Sequence, residues 1–153
     1  MNAITQLAII CGLAIAGAGT SWLLIGSPDR SIACDPATIK ADEICLQSIP
    51  AGADILWVDA RSRSDWENNG LPNSLLWNLD PKEDMQTFEA EVAMQLVTTP
   101  RVIVYCSDES CGTSRQIAER IRNLDLGAEV HVLHGGWRAL NEAGKIKAPN
   151  GKR

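Results

Sequence analysis

Four short apolar runs, "DILWVDA" (54–60), "SLLWNLD" (74–80), "RVIVYC" (101–106) and "EVHVLHGG" (129–136), constrain this chain most. Each is rich in β-branched, leucine or aromatic residues with almost no polar interruption, the pattern of strands covered on both faces. Between them the apolar spacing changes. Met85, Phe88, Val92 and Leu96 recur at intervals of three and four, so residues 82–97 read as an amphipathic helix with acids near its start, where the helix dipole favours them. Ser114 onward reads as a second, with Ile117, Ala118, Ile121 and Leu124 facing inward and Gly127 ending it. Ser62 or Ser64 is placed to cap a short helix ended by Asn68-Asn69-Gly70, and another spans Trp137 to Ala143. A first short strand or helix is expected near Glu43–Ile49. Strands alternating with helices imply an α/β fold, a mainly parallel sheet with helices on both faces, because each parallel crossover returns through a helix.

The chain has 153 residues, room for one domain and an appendage. The first 28 residues carry no Asp, Glu, Lys or Arg, and residues 4–25 form about 33 Å of helix, enough to cross the hydrocarbon core. The sequence therefore divides into a membrane anchor or signal segment (1–28), a linker (29–41), a domain (42–146) and a polar tail (147–153). A single-pass N-terminal anchor is preferred over export with signal cleavage, because no basic residue precedes the apolar run. Arg30 and Lys40 lean the domain towards the cytoplasmic side. Ala8, Gly12, Ala16 and Thr20 form a stripe of small residues, read as ordinary span composition. The net charge of −5, with no basic stripe, argues against a nucleic-acid partner. No metal cluster or phosphate-binding glycine motif is visible, and no cofactor is expected.

Of five cysteines, Cys11 lies in the span; Cys34 and Cys45 would bridge in an oxidising compartment but read more simply as linker cysteines without a role. Cys106 and Cys111 are different. A strand delivers Cys106 to a polar loop just before a helix, the end of an open α/β sheet where ligands bind. Loop amides and the helix dipole there stabilise a thiolate, so Cys106 is the candidate nucleophile, its sulfur presented at the edge of the sheet. Cys111 is open to three readings: a resolving thiol, a second sulfur carrier, or a packing residue. His134, at a strand end on the same sheet edge, reads as structural, as does His131. Gly135-Gly136 suit a tight turn with positive φ.

"VDARSRSDW", "GLPNSLLWNL", "VIVYC" with its loop and "VHVLHGGW" occur in the order and spacing of the rhodanese-like domains, which this chain resembles over roughly residues 40–145. The resemblance implies a five-stranded parallel core, a catalytic cysteine at Cys106 after the fourth strand, and an active-site loop of Ser107, Asp108, Glu109, Ser110, Cys111, Gly112, Thr113 and Ser114. It implies sulfane-sulfur transfer from a donor to an acceptor thiol through a Cys106 persulfide. Asp59 and Arg61 match a strand-end acid and the base that follows it, both read as structural. Where relatives often carry Gly-His-Ile-Pro-Gly-Ala, residues 69–74 read Asn-Gly-Leu-Pro-Asn-Ser and lack the histidine. The loop is longer than the common form and carries acids where a basic residue is usual. A carboxylate about 4 Å from sulfur costs a thiolate on the order of 1 kcal/mol in water. Thiosulfate, a dianion, is therefore expected to be a poor donor, with Arg115 as the nearby basic residue able to contact an anion. A non-catalytic interaction module and thiol redox chemistry through Cys106 and Cys111 are the alternatives. A phosphatase or arsenate reductase would want an arginine six positions after the nucleophile, and position 112 is Gly.

Overall fold

The computed structural model describes Gln6, residues 32–107 and residues 112–146. The chain divides into Met1–Arg30 and Ser31–Arg153, and the sheet and its helices belong to the second unit. Apart from Gln6, the span at 4–25 lies outside the described residues, as do its small-residue stripe and the tail at 147–153. Among the described residues no helix is long and apolar enough to cross a membrane.

Five parallel strands, β1 (Glu43–Ile44), β2 (Leu56–Asp59), β3 (Leu75–Leu76), β4 (Arg101–Tyr105) and β5 (Glu129–Leu133), lie in the order β1-β5-β4-β2-β3. Three helices join them, α1 (Arg63–Asn69), α2 (Met85–Leu96) and α3 (Gly112–Arg122), and α4 (Gly136–Glu142) follows β5. A 3-10 turn at Leu46–Ser48 follows β1, so the Glu43–Ile49 stretch is strand and turn in succession. The expected parallel α/β sheet is present.

Strand alternation sorts the core into two layers. Val102 and Val104 of β4 join Val58, Val92, Ile117 and Ile121 in the layer under α2 and α3. Ile103 and Tyr105 face the other way, towards Leu133 and Leu140 under α4. The apolar spacing of α2 puts Phe88, Val92 and Leu96 inside, and Asp84 caps it by accepting from the amides of Gln86 and Thr87. Ser62 caps α1 through the amide of Asp65.

Three element boundaries differ from expectation. β3 occupies only two residues of the 74–80 run, because Asn78 Oδ1 accepts from the amide of Asp80 and turns the chain away. α3 begins at Gly112 rather than Ser114. It also ends at Arg122, before Gly127, in a turn that carries Asp125 at φ 53°.

One covalent feature corrects the sequence reading. Cys34 and Cys45 form a disulfide, with Cα atoms 5.7 Å apart, so Cys34 is no idle linker cysteine. The segment before β1 folds back on the domain: Gln47 Nε2 donates to the Cys34 carbonyl at 2.7 Å, and the Ile32 amide donates to Glu142 Oε2 at 2.8 Å.

Candidate active site

β4 ends at Tyr105, and Cys106 is the next residue, at the C-terminal edge of the sheet. Alternation continues one residue past the strand, so Cys106 lies in the same apolar layer as Val102 and Val104 and is only 5% exposed. The sequence reading had the sulfur presented outward at the sheet edge; the edge position holds, and the exposure does not. Cys106 is also disulfide-bonded. Its carbonyl accepts from the Trp137 amide at 2.7 Å, and the carbonyl of Ser107, which is exposed, accepts from the Arg138 amide at 3.4 Å. The start of α4 is thereby fastened to the beginning of the loop. Asp108, Glu109, Ser110 and Cys111 lie outside the described residues, so the expected loop acids and the second thiol have no geometry here. On the far side of the loop, Gly112 is exposed, Thr113 is half-buried and Ser114 is buried.

Arg115, the expected anion contact, is engaged elsewhere. Its guanidinium binds the Glu43 carboxylate, and its Nε lies 3.8 Å from Asp42 Oδ2. Glu43 also binds His134, whose Nδ1 is 2.9 Å from its second oxygen. Burial works against ionisation of Glu43, yet hydrogen bonds from His134 and Arg115 outweigh it and hold the carboxyl below the usual range. This trio, drawn from β1, α3 and the end of β5, was not recognised in the sequence. The short strand β1 supplies no motif, and Glu43 lies 72 and 91 residues from its partners. His131 instead pairs with Glu129 at 3.1 Å.

Asp59 and Arg61 form a buried bridge of 2.7 Å at the end of β2. Arg61 NH1 donates to Asn69 Oδ1 at 2.8 Å, and the guanidinium lies 5.7 Å and 5.3 Å from the Tyr105 and Trp137 ring centres. Trp137 Nε1 donates to the Asn69 carbonyl at 2.8 Å. The cation is thus enclosed by a carboxylate, an amide and two aromatic faces, which agrees with a structural role. Burial and the nearby Asp59 charge raise the Tyr105 hydroxyl well above its ordinary range, so it stays neutral; it accepts from the Leu71 amide at 3.0 Å and lies 3.3 Å from Ser74 Oγ.

The unusual 69–74 segment has a local rationale. A Cβ at Gly70 would lie 2.5 Å from the Trp66 carbonyl oxygen, so this turn excludes any side chain there, histidine included. Asn73 adopts φ 65°, a left-handed conformation that asparagine tolerates better than most residues. Ser74 Oγ donates to the Leu71 carbonyl at 2.8 Å, and Trp66 Nε1 donates to the Ser74 carbonyl at 3.1 Å.

Residues 45–143 match the rhodanese-like domain family. No curated protein matches the chain. Among solved structures, the thiosulfate sulfurtransferase from Pseudomonas aeruginosa is 16% identical with a TM-score of 0.52, over 73% of this chain and 20% of that one. An As-Sb reductase from Leishmania major is 20% identical with a TM-score of 0.50, over 65% of this chain and 75% of that one. These likenesses concern the fold, and this chain spans only a fifth of the Pseudomonas structure.

Proposed function

Because the chain belongs to the rhodanese-like domain family, we propose that it transfers sulfane sulfur through a persulfide on Cys106. The observation that carries this reading is the place of Cys106, the first residue after β4, at the mouth of a loop leading into α3. The disulfide at Cys106 is then a resting form. A thiol opens it, and the released Cys106 thiolate attacks the outer sulfur of a donor, whose bond to that sulfur breaks as the rest of the donor leaves with the electron pair; an acceptor thiolate then attacks the outer sulfur of the resulting persulfide and releases Cys106 as thiolate. Arg115 is already neutralised by Glu43 and Asp42, which supports a poor match to thiosulfate and a preference for donors without a double negative charge. Gly112 supplies no cation at the sixth position after Cys106, which supports sulfur transfer over oxyanion reduction.

The test is mass spectrometry of the reduced domain after incubation with several sulfur donors. A gain of about 32 Da, one sulfur atom, on the Cys106 peptide is expected, and none in Cys106→Ser. No gain with any donor would overturn the proposal and leave an interaction module.

A second reading, thiol redox chemistry through Cys106 with Cys111 as resolving thiol, is favoured by the disulfide-bonded state of Cys106. Its mark would be transfer of oxidising equivalents to a substrate dithiol without any persulfide.

We also propose a membrane tether through residues 4–25, with the domain on an oxidising side. The Cys34–Cys45 disulfide supports that side against the two-charge lean to the cytoplasm, since such bonds persist in oxidising compartments. A C-terminal reporter enzyme that requires its own disulfides should be active on the full chain. Inactivity beside an active cytoplasmic reporter would reverse the orientation.

A further inference from the structure

The two ends of the Cys34–Cys45 disulfide differ. Cys45 is 1% exposed, whereas Cys34 is half-buried and forms part of the wall of a cavity of about 310 Å³. Ile32, Leu46, His134, Ala139 and Lys145 share that wall. An incoming thiol therefore meets Cys34 first. The wall also carries Lys145, Glu142 and the Glu43-paired His134, and of these Lys145 is the cation with no carboxylate partner among the described ion pairs, placed to favour an approaching thiolate.

The bond also lies beside the Glu43 trio. Cys45 follows β1 directly, and β1 is only two residues long, paired to β5 at Val132 and Leu133. Glu43, two residues before Cys45, holds Arg115 in the first turn of α3 and His134 at the end of β5. Apart from the disulfide, residues 32–34 are tied by exposed hydrogen bonds, from the Ile32 amide to Glu142 and from Gln47 to the Cys34 carbonyl, which water competes for. Ile32 packs where a Cβ on Gly135 would stand, 2.7 Å from its Cδ1, so the segment also covers the turn that opens α4.

We propose that Cys34–Cys45 is a second, reversible thiol–disulfide exchange site, entered at Cys34 through this cavity and serving a dithiol, and that its state sets how firmly β1 is braced. The thiolate of the dithiol attacks Cys34 Sγ, forming a mixed disulfide as the electron pair of the broken bond passes to Cys45 Sγ, which takes a proton. The second thiolate of the reductant then closes its own disulfide and releases Cys34, which is protonated in turn. Two electrons and two protons move from the dithiol to the two cysteines. With the bond open, β1 keeps its short ladder and the contacts of Asp42 and Glu43, and residues 32–48 loosen while β4 does not.

The test uses the full chain, with dithiothreitol as the probe dithiol, followed by alkylation, peptide mapping and hydrogen exchange. Cys34 and Cys45 should become alkylated together while β4 amides keep their protection, and exchange in 32–48 should rise at least tenfold. Reoxidation should reverse both changes. A Cys34→Ala/Cys45→Ala variant should show the faster exchange without dithiol, and Lys145→Glu should slow opening severalfold. Alkylation appearing only together with loss of β4 protection would overturn the proposal, as would unchanged exchange in the double variant; an unaltered rate in Lys145→Glu would exclude the cavity as the entrance. No sulfur donor enters these measurements, so a failure of persulfide formation at Cys106 leaves them unaffected.

Discussion

The amide of Trp137 donates to the carbonyl of Cys106 at 2.7 Å, tying the first turn of α4 to the residue that opens the active-site loop. The placement of Cys106 therefore depends on the docking of α4, which its own fully buried Leu140 anchors against Ile103, Tyr105 and Leu133. Leu140→Ala should cost about 2–5 kcal/mol in urea unfolding. Alkylation of Cys106 in the reduced protein should also accelerate relative to wild type. An unchanged alkylation rate would show that α4 does not govern access to the sulfur.

Arg61→Gln leaves the Asp59 carboxylate buried without its cation. Loss of about 3–5 kcal/mol is expected from chemical denaturation. Asp59→Asn added to Arg61→Gln should recover part of it, because the stranded charge is then gone.

Asn73 separates backbone from side-chain effects. Asn73→Gly should be close to neutral, since glycine adopts φ 65° freely, while Asn73→Ala should lose about 1–2 kcal/mol. Equal stability of the two variants would remove the conformational explanation.

Glu43 gives a pH signature. Its folded carboxyl titrates below the ordinary glutamate value of 4.5, so its stabilisation is complete above that pH and fades as pH falls through the lower folded value. The stability difference between wild type and Glu43→Gln should thus be flat near neutrality and shrink only below about pH 4.5. A difference that grew on acidification would contradict the direction of the shift.

The core was legible where local pattern and tertiary role agree. The uninterrupted apolar run 101–106 had to be a covered strand, and the spacing of Phe88, Val92 and Leu96 had to be a helix face; both are. The parity of β4, counted from Val102 and Val104, turns Cys106 inward at the sheet edge where the sequence placed it. The Cys34–Cys45 bond was obscured because an eleven-residue separation carries no signature of its own. Arg115 looked available for substrate only because its partner Glu43 opens, and Asp42 directly precedes, a strand too short to announce itself.

The sheet's two outer strands, β1 and β3, are each two residues long. A neighbouring polypeptide seeking to extend the sheet would find scarcely one pair of rungs on either border, too little for register or adhesion. Brevity at the margins thus guards this fold against runaway self-assembly, and the charges at Lys40, Asp42 and Glu43 and the prolines at 72 and 81 lie beside those same borders.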